Sequence, residues 1–450
     1  MSSGFIWVIF FCATCGYLLT CILNTRNSGQ NGPPLRPGDL LELFVLGACA
    51  FVYCDSFILY SGGLLQPWHL PAFLGLLFAI CIWKRQPPVP FAMSRRSSLA
   101  SCLLVLVPIA LTFFTLVDGA ATILDHPQVD QDMVAHILIK GKIIAHEGLW
   151  DSPYFNDPEF ANMHSRYPLF AAVIYGSFFQ WGPGNFASYL FTNYLVVGGI
   201  AAALYSWLRN STSPFIAALW TTIYITAPDF IYSEFIMSSL DIMLAAAFFC
   251  AARHFYEWEI SGDNRQLCLA AVFAGAAMLI KDDALIFSLA LLSVAALSGA
   301  RRALWSPTLI WLAIALPWMI VSRRFPDAAS GPLSVVASSS LSASLPNLAH
   351  ALRGIKDNMI YTWHGVFMIA PVVLILSLFR KRNLGITRLL TAILLTLFAY
   401  CVIIWLYVGK VDEFLQTFFR LLLPMYPVTL ACIAVALNKW ADPDPANVDH

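Results

Sequence analysis

Hydrophobic residues in this chain come in long unbroken runs separated by short polar breaks, not as one face of otherwise polar segments. A helix needs about 20 consecutive apolar residues to cross a bilayer. Runs of this kind occupy residues 5–23, 40–60, 65–83 and 99–117. A polar stretch, 118–166, follows. Apolar runs then resume at 167–181, 185–208, 214–232, 235–252, 267–280, 284–297, 304–321, 359–379, 389–408 and 421–437. The pattern predicts an all-α, polytopic transmembrane helical protein of about 13 spans, with amphipathic surface helices in a long outer loop.

The run at 5–23 lacks a basic flank and an obvious small-residue cleavage site, so it reads as a retained first span, not a signal peptide. Short loops rich in Lys and Arg face the cytoplasm. Lys84, Arg85, Arg95 and Arg96 form one such cluster, Arg301 and Arg302 a second, and Arg380, Lys381, Arg382 and Arg388 a third. This places 118–166 outside and the C-terminus inside, provided 167–181 is re-entrant. The expected organisation is a three-helix membrane segment over 1–98, then a membrane core over 99–440 with outer loops 118–166 and 322–358. The second loop is expected to lie along the membrane surface, and a polar tail, 441–450, completes the chain. No internal repeat is visible.

Composition agrees with lipid as the solvent. The chain has 450 residues, of which 59% are hydrophobic and 12% charged, against roughly 25% charged in soluble domains. The formal net charge is zero, and no basic stripe points to nucleic acid. All 11 cysteines sit in apolar runs and read as small packing residues, with no disulfide framework.

Candidate chemistry begins in the long loop. After Asp130-Gln-Asp132, apolar residues recur with helical spacing through Ile144, and Lys140 and Lys142 lie toward the far end. Two readings of the aspartates stay open. They cap a helix, or one acts as a general base held just above the hydrocarbon. His126, His136, His146 and His164 lack metal-ligand spacing and read as interfacial side chains, so no metal is assigned. Charges inside or beside apolar runs form the second group: Asp55, Glu234, Asp241, Lys281-Asp282-Asp283 and Arg420. Such residues pair with one another or line a cavity. The expected topology brings Glu234, Asp241, Lys281 and Arg420 to the outer face, where cations suit a lipid phosphate.

Several short motifs occur in order. They are Asp130-Gln-Asp132 through Gly148, then His164-Ser-Arg-Tyr167-Pro168-Leu169, and Pro228 with Glu234 and Asp241. Ala274-Gly275 through Lys281-Asp282-Asp283 and Arg420 through Pro427 follow. The set resembles the GT-C superfamily of membrane glycosyltransferases, which includes the protein O-mannosyltransferases and the lipid A aminoarabinose transferases. Three apolar runs precede the matching region, and the acidic pair is Asp-Gln-Asp instead of two adjacent acids.

The resemblance implies an enzyme of the cell envelope that transfers a sugar from a polyprenyl-phosphate carrier, with inversion and without a metal cofactor. Its acceptor would be a lipid, glycan or protein hydroxyl. Asp132, or else Asp130, would be the base. Lys281, Arg420 and Lys140 would hold the carrier phosphate, with Tyr167, His164, Glu234 and Asp241 lining the site. The implied location is the bacterial inner membrane, with the site facing outward and membrane lipids as partners. A flippase for a lipid-linked sugar and a non-catalytic assembly subunit are the rival classes.

Overall fold

A computed structural model describes residues 3–23, 39–84, 110, 138–163, 166–181, 186–227, 240–298, 301–326, 348–361, 363–380, 384–406 and 421–441. The described residues form 16 α-helices. Three helices come first: α1 (Ser3–Leu23), α2 (Asp39–Tyr60) and α3 (His69–Trp83). Three short ones follow: α4 (Ile139–His146), α5 (Pro153–Asn156) and α6 (Phe170–Trp181). The central group is α7 (Phe186–Arg209), α8 (Pro214–Ile225), α9 (Asp241–Ser261), α10 (Asn264–Ile280), α11 (Ala284–Leu297) and α12 (Trp305–Val321). The last four are α13 (Leu348–Tyr361), α14 (Val366–Arg380), α15 (Leu384–Leu406) and α16 (Tyr426–Ala441).

Helix α9 is the hub. It packs against α2, α7, α10, α11, α15 and α16, and 16 of its 21 residues are buried. A helix apolar around its whole circumference must be enclosed on all sides, and here protein encloses it. Gly262, at φ 69°, ends it in the left-handed conformation that a glycine adopts without strain. Asp263 then caps α10 by accepting from the Arg265 amide, so α9 and α10 run antiparallel and return the chain to Lys281 beside Asp241.

The expectation of about thirteen spans in a GT-C-type architecture is corrected here. Among the described residues three helices are long and apolar enough to cross a membrane: Asp39–Tyr60, Trp305–Arg324 and Leu384–Ile403. Seven further apolar stretches run only 10–17 residues. At 1.5 Å per residue, a helix of 14 residues such as α11 reaches roughly 21 Å, short of the ~30 Å hydrocarbon core. Apolar content therefore overstated the number of spans, because much of it packs helix on helix. By length and composition the protein is membrane-embedded with more than one span. Only 22% of the most apolar window of the Trp305–Arg324 helix is buried by protein, and Leu309, Leu312, Leu316 and Ile320 form an exposed stripe along it.

Local geometry changes other elements. The expected run at 359–379 is broken at Trp363 and Gly365, both with positive φ, so α13 and α14 are separate helices. The run expected to end at 252 continues as α9 through Arg253, His254, Glu257 and Glu259, because those side chains find partners. The surface helix expected in the outer loop is also corrected. Its described part, α4, buries Lys140, Gly141, Ile144 and Ala145. A Cβ added at Gly141 would lie 2.9 Å from the Ala172 carbonyl oxygen, and one at Gly176 would lie 2.8 Å from that of Gly141. The two glycines let α4 and α6 touch backbone to backbone. The ten described cysteines are free thiols.

Candidate functional site: a buried charge cluster

Asp241 opens α9 and is 1% exposed. Lys281 ends α10, in extended backbone conformation, and donates from Nζ to Asp241 Oδ1 at 2.8 Å. The same ammonium lies 3.1 Å from Asp283 Oδ2. Side-chain exposure rises outward along this chain of charges, from 1% at Asp241 to 12% at Lys281 and 23% at Asp283. Asp282 beside them is exposed. Two tyrosines complete the surroundings. Tyr400, on α15, donates to the Asp283 backbone carbonyl at 3.3 Å. The Tyr167 phenol lies within the electrostatic reach of Lys281, Asp241, Asp282 and Asp283.

Lys140 adjoins the cluster from α4. Its Nζ donates to the Tyr167 carbonyl at 3.0 Å and lies 5.7 Å from the centre of the Phe155 ring. Burial pushes its pKa down to about 7, while Asp282 works in the opposite direction.

Of the nine site residues expected from the sequence, Lys281, Asp241, Tyr167 and Lys140 are described, and the structure brings them together. Asp130, Asp132, His164, Glu234 and Arg420 lie outside the described residues.

Sequence reasoning missed a second cluster at the far end of α9. Arg253 Nη1 lies 2.9 Å from Asp39 and 3.7 Å from Glu42 on α2, and its Nε is 3.2 Å from Glu257. His254 stacks on Phe273 and places Nδ1 2.6 Å from Gln266 Oε1. Its Nε2 is 2.9 Å from Glu42 Oε1. Arg388 pairs with Glu259, and Asp55 pairs with His69 between α2 and α3. The only sequence signal was charge within apolar runs. Nothing local joins Asp39 to Arg253, 214 residues apart.

Among the described residues no three His, Cys, Asp or Glu side chains group as a metal site. No family model matches the chain, and no curated protein or solved structure matches it either. The resemblance to the GT-C glycosyltransferases is therefore corrected along with the span count, and the sugar-transfer activity falls with it. A carrier-lipid transferase of that type needs the many-span architecture, and the described charges form ion pairs with one another, not a catalytic arrangement.

Proposed function

We propose that the protein is a multi-span protein of the plasma membrane that binds a small cationic solute at the acidic mouth of the Asp241–Lys281–Asp283 cluster, from the outer side. The observation that supports this reading is the pair of carboxylates at the open end of the cluster, Asp283 at 23% side-chain exposure and Asp282 exposed, beside the buried Lys281–Asp241 ion pair; solvent-facing carboxylates of this kind attract cations. Asp283, shared with Lys281 and partly exposed, is the group that meets the solute. Asp241 holds Lys281 in position, and Tyr167 and Tyr400 offer aromatic faces for a cation. The outward orientation rests on the basic residues Arg301, Arg302 and Arg388 near the opposite ends of α11, α12 and α15.

The test is thermal unfolding of the purified protein in nanodiscs, titrated with monovalent metal ions and a series of primary amines. One class should raise the midpoint saturably. Asp283→Asn should weaken that response about tenfold, the scale of one charge-assisted contact of ~1.4 kcal/mol. Asp263→Asn, at the exposed α10 cap, should leave it unchanged. If no cation stabilises the protein, or if Asp283→Asn responds like wild type, the reading fails.

A further inference from the structure

The charge cluster at the far end of α9 holds a buried titratable ring between three helices. His254 is 4% exposed. Its ring lies flat against Phe273 of α10, with centroids 5.4 Å apart and planes 3° from parallel. Nδ1 is 2.6 Å from Gln266 Oε1 in the first turn of α10, and Nε2 is 2.9 Å from Glu42 Oε1 in the first turn of α2. A neutral imidazole has a single N–H, so it can donate to one of these oxygens and must turn a lone pair toward the other. An imidazolium carries an N–H on each nitrogen and suits both.

The charges around the ring favour its protonated form. From α2 come Glu42 and, in the same first turn, Asp39. From α9 come Glu257, whose Oε2 is 3.9 Å from Nδ1, and the cation Arg253. Arg253 is engaged by Asp39 at 2.9 Å and Glu257 at 3.2 Å, and stands 3.7 Å from Glu42. From α10 come the neutral Gln266 and Phe273, with Asp263 and Arg265 exposed at its start. Arg388 of α15 is taken up by Glu259. Burial works against a proton on His254, but Glu42 and Glu257 outweigh burial and Arg253, and its pKa is raised above the ordinary histidine value. A neutral ring would leave Glu42 only the longer contact to Arg253. Glu42 is 19% exposed, and a carboxylate that loses its near partner gains by turning to water.

We propose that His254 is a pH-sensitive clasp: as an imidazolium it ties the first turn of α2 to the first turn of α10 across α9, and loss of its proton at alkaline pH releases the start of α2. A proton held more tightly by the folded chain stabilises it fully below the unfolded histidine pKa of ~6.5, and that contribution is lost as pH rises through the higher folded value. The clasp lies at the opposite end of α9 from Asp241 and Lys281 and does not depend on cation binding there.

Two measurements on the detergent-purified full chain test it. The first follows the histidine ring nitrogens by NMR as pH is raised, with the His254 signal identified by its contact with the Phe273 ring, so that no variant has to fold. Its midpoint should lie above that of exposed His350, and Glu42→Gln, which keeps the shape and removes the charge, should lower it. A midpoint at or below that of His350, or one that Glu42→Gln leaves in place, overturns the proposal. So does a ring that is neutral below the His350 midpoint, because Gln266 would then donate from its amide nitrogen to Nδ1. The second compares amide hydrogen exchange in the first turn of α2 between wild type and His254→Gln at the same pH, so that intrinsic rates cancel. Below the wild-type midpoint the variant should exchange at least about fivefold faster, and above it the two should agree. Equal exchange below the midpoint overturns the clasp. An equal difference on both sides of it also does, since a merely structural histidine would give that result.

Discussion

Burial removes from Lys140 the water that an ammonium group needs. The Tyr167 carbonyl and the Phe155 ring stand beside it instead, and the pKa falls to about 7. An unfolded lysine titrates near 10.4, so the unfolded chain holds more protons than the folded one between roughly pH 7 and 10. Stability therefore rises with pH through that window, by up to ~1.4 kcal/mol per pH unit, and this contribution is least favourable below pH 7. Thermal unfolding in detergent should show a midpoint that climbs from pH 7 to 9.5. Lys140→Met, close in length and uncharged, should flatten the climb. An equal climb in the variant would mean that another group causes it. The burial of Lys140 was not legible in the sequence, because it follows from the Gly141–Gly176 contact that sets α4 against α6.

At the scale of elements, small residues decide which helices meet. A Cβ added at Gly16 would collide with the Leu43 carbonyl, and one at Gly47 with the Cys12 carbonyl. Helices α1 and α2 thus cross with their backbones in contact, as helices in lipid do when glycines face each other. Gly16→Ala and Gly47→Ala should each cost at least the ~1–3 kcal/mol of an overpacked core, since backbone and not a flexible side chain must move. Gly75, with no atom within 4 Å of its added Cβ, is the control. If Gly47→Ala unfolds at the wild-type midpoint, as Gly75→Ala should, the crossing is not as close as described. The apolar runs that become α1, α2 and α15 were legible because long hydrophobic stretches leave few alternatives to a helix. The ends of α9 and α14 were not. Charged partners carry α9 past Arg253, and positive φ at Trp363 and Gly365 separates α13 from α14.

The whole molecule carries its two polar clusters at opposite ends of α9. Asp241 and Arg253 are twelve residues apart, roughly 18 Å along the axis, with only apolar residues between them. Loop residues sort with them. Arg166 donates to the Phe325 carbonyl at 2.8 Å, and Trp150 packs on Phe325, which gathers the described loop residues at the Lys281 end. Exposed Glu159 belongs to that group and exposed Asn264 to the other. A cysteine replacing Glu159 should react with an impermeant thiol reagent added to intact cells. One replacing Asn264 should react only after the membrane is opened. The opposite pattern would invert the orientation and move the acidic mouth to the cytoplasm.

The amino-acid pattern by itself determined that the chain is helical and membrane-embedded. It also showed that Asp241 and Lys281, charges beside apolar runs, need a structural reason. Those conclusions depend on local quantities: the length of an apolar run, and the cost of a charge inside one. Tertiary structure decided how many runs become candidate spans, because helices can bury apolar surface in one another as well as in lipid. It also decided which charge pairs with which, as in Asp39 with Arg253 and Asp241 with Lys281. A salt bridge depends on distance in space, and sequence separation carries almost no information about that distance.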